Sequence, residues 1–214
     1  MIKADVTVVG TVVQGSQVKQ TAKGYILTAA VRTSVPQKEG GMQDVLVSVS
    51  APQTASAGIE TLVQGQRVSL AGALHFHKIG EVMYLNMNVV SCTQADPSAG
   101  DGFSGELHMI GFLGSRAPEV RTGKGGKPFM NFSAYSSDGD GENRSFTWVR
   151  FIRFSGDVEP FLVPKALVKA SGTMELQFFQ GKLSISCRLS QVSPYEKKAV
   201  TGGTIAEAPD DAPF

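Results

Sequence analysis

The stretch Val6-Thr7-Val8-Val9-Gly10-Thr11-Val12-Val13 is dense in β-branched residues and has no helical spacing of apolar positions, so it reads as a strand. Its centre, Val9-Gly10-Thr11-Val12, returns later as Ile110-Gly111-Phe112-Leu113. Further matches follow in the same order. Lys23-Gly24-Tyr25-Ile26 faces Lys127-Pro128-Phe129-Met130, Leu62-Val63 faces Leu162-Val163, and Gly72 faces Gly172. Leu74-His75-Phe76 then faces Leu176-Gln177-Phe178, and Gly80 faces Gly181. The offset stays between 100 and 104 throughout, which marks an internal duplication rather than chance similarity of β-rich sequence.

Each copy reads as strands separated by Gly and Pro. In the first copy they are Val6 to Val13, Tyr25 to Val31, Val45 to Val49, Val68 to Leu74 and Val82 to Val90. Five strands per copy is the number in an OB barrel. Thr54 to Val63 and Val158 to Val163 fall where that fold often places a helix, although Pro160 and Pro164 limit the second to about a turn. The expected fold is all-β, with two tandem five-stranded OB barrels and a short disordered acidic C-terminal tail. The expected boundaries are residues 1–95 for a first, degenerate barrel, 96–105 for a turn-rich linker, 106–195 for the main barrel and 196–214 for the tail.

The 214 residues are 42% hydrophobic, enough for two small cores. The formal net charge of +1 hides an asymmetry. Residues 1–95 carry 7 basic and 5 acidic side chains, residues 106–195 carry 11 and 8, and residues 196–214 carry 2 and 4. The start, Met1-Ile2-Lys3-Ala4-Asp5, reaches no sustained apolar region of the signal-peptide kind, and no apolar run approaches the roughly 20 residues of a membrane span. A cytoplasmic location without membrane attachment is therefore expected. Cys92 and Cys187 lie outside any C-x-x-C and read as free thiols, so no structural zinc is expected, and no cofactor.

Chemistry concentrates in Phe146-Thr147-Trp148-Val149-Arg150-Phe151-Ile152-Arg153-Phe154. Strand alternation puts Trp148, Arg150 and Phe154 on one face, with Val149 and Phe151 on the other. Flat π systems beside cations suit unpaired nucleobases and their phosphates. For an isolated strand the other reading, that Trp148 fills the barrel, stands equally. Phe178 and Phe179 precede the turn Gln180-Gly181-Lys182, so one of them must point away from the core. Arg121, Lys124 and Lys127 crowd a glycine-rich hairpin that is no Walker loop, because Lys127 is followed by Pro128. His75 and His77 share a strand face without a carboxylate or cysteine pattern to complete a metal site, and no Gly-x-Ser-x-Gly appears, so no enzyme is expected.

The ordered set Ile110-Gly111-Phe112-Leu113-Gly114, Pro118-Glu119-Val120-Arg121, Gly126-Lys127-Pro128-Phe129-Met130-Asn131-Phe132-Ser133 and Thr147-Trp148-Val149-Arg150 resembles the bacterial single-stranded-DNA-binding protein family. The resemblance covers residues 106–195, and reaches residues 1–95 only through the duplication. It implies base stacking by Trp148 and Phe154, with Phe179 or Phe178 near a third stacking position, and phosphate contacts by Arg121, Lys127 and Arg150, with Lys124 close by. In the first copy, which has no tryptophan, Tyr25, Arg32, Phe76 and Tyr84 are the secondary candidates.

A family aromatic before the third strand is absent here, since Tyr135 to Arg144 is short and acidic (Asp138, Asp140, Glu142). The end, Asp210-Asp211-Ala212-Pro213-Phe214, resembles the family's protein-interaction tip, with Ala212 in place of a larger apolar residue. The implied role is sequence-nonspecific binding and protection of single-stranded DNA in replication, recombination and repair. The implied setting is the nucleoid-associated cytoplasm, as a homodimer of four barrels that recruits replication and repair proteins through the tip. The alternative is an OB-fold primosome or assembly adaptor with weak nucleic-acid binding.

Overall fold

Apolar alternation does set the strands in the computed structural model, which describes residues 2–22, 24–55, 57–138 and 144–196. In chain order they are β1 (Ile2–Thr21), β2 (Gly24–Pro36), β3 (Met42–Pro52), β4 (Arg67–Ile79), β5 (Val82–Gln94), β6 (Gly102–Leu113), β7 (Glu119–Thr122), β8 (Pro128–Asp138), β9 (Ser145–Arg153), β10 (Leu167–Phe179) and β11 (Lys182–Pro194). No helix forms among the described residues, and so none is long and apolar enough to cross a membrane.

β1 pairs with β4 over residues 3–11 and with β2 over residues 11–21. β2 and β3 are antiparallel, β3 and β5 parallel, and β5 and β4 antiparallel. The order β1-β2-β3-β5-β4 therefore closes on itself. The later strands repeat it as β6-β8-β9-β11-β10, again with one parallel pair, β9 with β11. This closed order with a single parallel step is the OB barrel, present twice. The additional short strand β7 pairs only with β8, as the outer arm of a hairpin.

Closure depends on glycines matched between the copies. β1 turns from β4 toward β2 at Gly10, where a Cβ would lie 2.3 Å from the Arg32 carbonyl oxygen. Its counterpart Gly111 would meet the Tyr135 carbonyl oxygen at 2.3 Å. Gly72 sits at the bulge of the β4–β5 pair, 2.1 Å by the same measure from Asn88 O, and Gly172 stands equally close to Arg188 O. Glycine here permits backbone-to-backbone approach. Inside the first barrel Val8, Val31, Val47, Leu70, Leu74 and Met87 are buried; inside the second, Leu107, Met109, Met130, Val149, Phe151 and Ile185.

The helix positions require correction. Residues 54–55, 57–63 and 158–163 run as turns and coil, not helix. Gly58 is left-handed (φ +77°) with Cys92 O 2.6 Å from its would-be Cβ, so the chain crosses too tightly for a helical turn. Ala57, Ile59 and Leu62 nonetheless drop into the barrel, and the Ser16 hydroxyl donates to Ile59 O while accepting from Leu62 N at 3.1 Å. Leu162 is buried in the second copy, between Pro160 and Pro164.

The chain divides into two compact units, one of Lys3–Glu106 with Glu175–Ser184, the other of Leu107–Met174 with Ile2 and the described residues 185–196. Residues 102–105 begin β6, while 96–101 are tied down within the first unit. The Asp96 carboxylate accepts from Ser98 N and Oγ (2.8 and 2.6 Å), and Arg67 donates to Asp101 and to Ala99 O (2.7 Å each). Within the same unit the tip of the β10–β11 hairpin meets the β2–β3 turn, where Lys38 N donates to Phe178 O at 2.8 Å, and the β4–β5 turn, where Glu81 pairs with Lys182 at 2.5 Å. Neither cysteine is in a disulfide; Cys187 is buried, and burial pushes the half-buried Cys92 thiol up.

Gly72→Ala and Gly172→Ala are each expected to cost about 1–3 kcal/mol in denaturant unfolding, because the added methyl overlaps a carbonyl that cannot retreat. Gly100→Ala, with open space around its Cβ, is the control and is expected to stay within about 0.5 kcal/mol of the parent.

Candidate nucleic-acid interface

Burial along β9 alternates as the sequence requires. Thr147, Val149 and Phe151 are buried, while Trp148, Arg150 and Ile152 are half-exposed. The indole of Trp148 packs against Tyr135 on β8 (centroids 4.9 Å apart, planes at 51°), and Tyr135 is itself buttressed by Phe112 and Phe146. Gly114, just past β6, makes room for the indole, since a Cβ there would come within 3.2–3.4 Å of the ring. Gly114 N donates to Ser133 O at 2.9 Å and so fixes that loop against β8.

Trp148 also lines a cleft of about 240 Å³, smaller than the ~300–1,000 Å³ usual for small-molecule sites. Trp148, Arg150 and Arg121 line it together, with Arg116, Glu119, Asn131 and Ser133. Arg150 stands between Ser133 on β8 and Ser186 on β11. Arg121 donates from Nε and Nη2 to Glu119 (2.9 and 2.5 Å). Asn131 Nδ2 is buried with no hydrogen-bond partner among the described residues. Among the described residues that line it, three guanidinium groups stand with one carboxylate, an excess of positive charge.

Phe154 follows β9 and is 69% exposed, with the Arg188 guanidinium 5.6 Å from its ring centre. The segment beyond it is pinned by Arg153, whose guanidinium holds the Glu159 carboxylate and keeps that carboxyl below its usual range. Lys124 and Lys127 are exposed at the β7–β8 turn, closed by Gly123 N donating to Lys127 O at 2.9 Å. Phe178 and Phe179 are not gathered into this unit. They belong to the other one, where the Lys38 ammonium sits 3.9 Å above the Phe179 ring.

Strand register identifies the corresponding face of the first barrel. The two-residue turns of the β4–β5 and β10–β11 hairpins make Met87 equivalent to Cys187; Val49 pairs with Met87 as Phe151 pairs with Cys187. Leu46, Ser48 and Pro52 thus hold the places of Trp148, Arg150 and Phe154. Leu46 is 62% exposed. Among the secondary candidates, Tyr25 and Tyr84 are exposed, and Arg32 faces Asp44 at 3.7 Å. Phe76 must be withdrawn: only 4% exposed, it shares the inward parity of Val68, Leu70 and Leu74 and fills the core. His75 approaches Asn88 at 3.4 Å, and no metal-binding cluster occurs among the described residues. The tip Asp210, Asp211, Ala212, Pro213 and Phe214, like Asp140 and Glu142, lies outside the described residues.

Arg116, Arg188, Glu119 and Asn131 were not singled out as site residues from sequence. Arg188 comes beside Phe154 through the parallel β9–β11 pairing, which no local pattern announces. Arg116 lies within the motif-bearing loop and was legible as a third cation.

No family model and no curated protein matches the chain. Among solved structures, the wild-type single-stranded DNA binding protein from Thermus aquaticus is 14% identical, with 94% of this chain and 96% of that chain covered and a TM-score of 0.47. A deletion mutant of it gives 15%, 94%, 98% and 0.47. A small single-stranded DNA-binding protein from Streptomyces coelicolor gives 17% identity, covers 47% of this chain and 95% of its own, and has a TM-score of 0.35. Similarity of this degree carries no argument about this chain.

The one tryptophan makes the trough measurable without a ligand. Normalised to the quenching of a free tryptophan amide, iodide is expected to quench Trp148 emission more strongly than caesium at equal ionic strength, because the surrounding guanidinium groups concentrate anions. Equal quenching by the two ions would contradict a positive trough.

Proposed function

We propose that the chain binds single-stranded DNA without reading its sequence, as a non-catalytic member of the bacterial single-stranded-DNA-binding family. The observation that carries this reading is the half-buried Trp148 lining one cleft together with Arg116, Arg121 and Arg150. It lies on the second and third strands of the barrel, the face on which OB folds take oligonucleotides. A base must be unstacked to lie on the indole, while its phosphates need cations within a few ångströms. A duplex supplies the phosphates but hides the base faces, so single strands are preferred.

Binding is centred on the second barrel, since Leu46, Ser48 and Pro52 give the first neither ring nor charge at the matching places. Tyr25 and Tyr84 are left as its exposed aromatics. Two chains would supply four barrels, and the tip at Asp210–Phe214 would recruit proteins by its terminal ring and acids, in replication, recombination and repair.

Titration with oligo-dT is expected to quench Trp148 fluorescence strongly, duplex to quench it weakly, and native mass measurement to give two chains per complex. A flat titration would favour the adaptor reading. Trp148→Ala is expected to weaken oligo-dT binding by about 1–3 kcal/mol. Arg150→Ala is expected to lower the slope of log affinity against log salt by about 0.7, and Leu46→Ala to change neither.

A further inference from the structure

Among the described residues lining the trough there is one carboxylate, and it occupies the trough's own arginine. Glu119 and Arg121 are two apart on β7 and so project to the same side. Both Arg121 hydrogen bonds, from Nε and from Nη2, end on the same Glu119 oxygen. Nε and Nη2 form one edge of the guanidinium, the edge that would grip a phosphate in fork fashion. Both side chains are about half exposed, so the pair opens at little cost.

We propose that Glu119 is an internal stand-in for a backbone phosphate, holding Arg121 aimed across the trough and competing with the DNA for it. The inference rests on the DNA-binding reading above. When a strand enters, its phosphate takes the Nε–Nη2 edge and Glu119 is displaced toward solvent, carrying a like charge that remains near the phosphate chain. Glu119 thereby sets an upper limit on affinity and speeds release, a useful property where bound strand must be handed on.

The test is a double-mutant cycle on the full chain, reading oligo-dT affinity. Glu119→Gln keeps the shape and removes the charge; it is expected to tighten binding about two- to fivefold, with the gain appearing in a slower off-rate. In an Arg121→Ala background the same substitution is expected to have almost no effect. If the parent chain binds no oligo-dT, the functional reading itself fails. If the parent binds and Glu119→Gln binds equally or more weakly, the stand-in role is overturned. An equal gain with and without Arg121 overturns it too, since that result reports only diffuse repulsion.

Discussion

Each barrel closes because one long first strand serves two neighbours, and that double duty requires backbone to lie directly on backbone. Gly10 and Gly111 supply the contact, both 2.3 Å by would-be Cβ from a carbonyl of the neighbouring second strand. Gly72 and Gly172 supply a second one at the fourth strand, each 2.1 Å from a carbonyl on the fifth. With these four positions fixed, the remaining pairings follow in the same order in both copies, and the third strand always lands beside the fifth. The place of β9, and hence of Trp148 and Arg150, is a consequence of that closure.

The two barrels share geometry and differ in what they present. Where β9 carries Trp148 and Arg150 outward, β3 carries Leu46 and Ser48 at the same register. The indole also needs a floor and a gap: Tyr135 supplies the floor and Gly114 the gap. At the place of Tyr135 the first barrel has Arg32, engaged with Asp44. The duplication thus kept the frame, while the aromatic and basic pair of Trp148 and Arg150 stands on the second copy and Leu46 and Ser48 hold those places on the first.

Strand content and the outward face of β9 were legible in the sequence because both are written in a two-residue period. The duplication was legible because its glycines are fixed by sterics. The inward place of Phe76 is readable too, since its even number matches Val68, Leu70 and Leu74, although its aromatic ring makes it a secondary binding candidate by residue type. The expected helix of the first copy failed for a tertiary reason, the crossing of Gly58 against Cys92 O, which propensity does not register. Arg188 beside Phe154, the unpartnered Asn131 amide and the Arg121–Glu119 pairing in the trough depend on register or side-chain packing that no local run of residues encodes.

The most direct measurement is the NMR spectrum of the full chain with and without oligo-dT. The account predicts that the single indole N–H resonance and the backbone amides of β8 and β9 shift together, while those of Leu46 and Ser48 hold still. Shifts gathered on the first barrel, with the indole resonance unmoved, would contradict it.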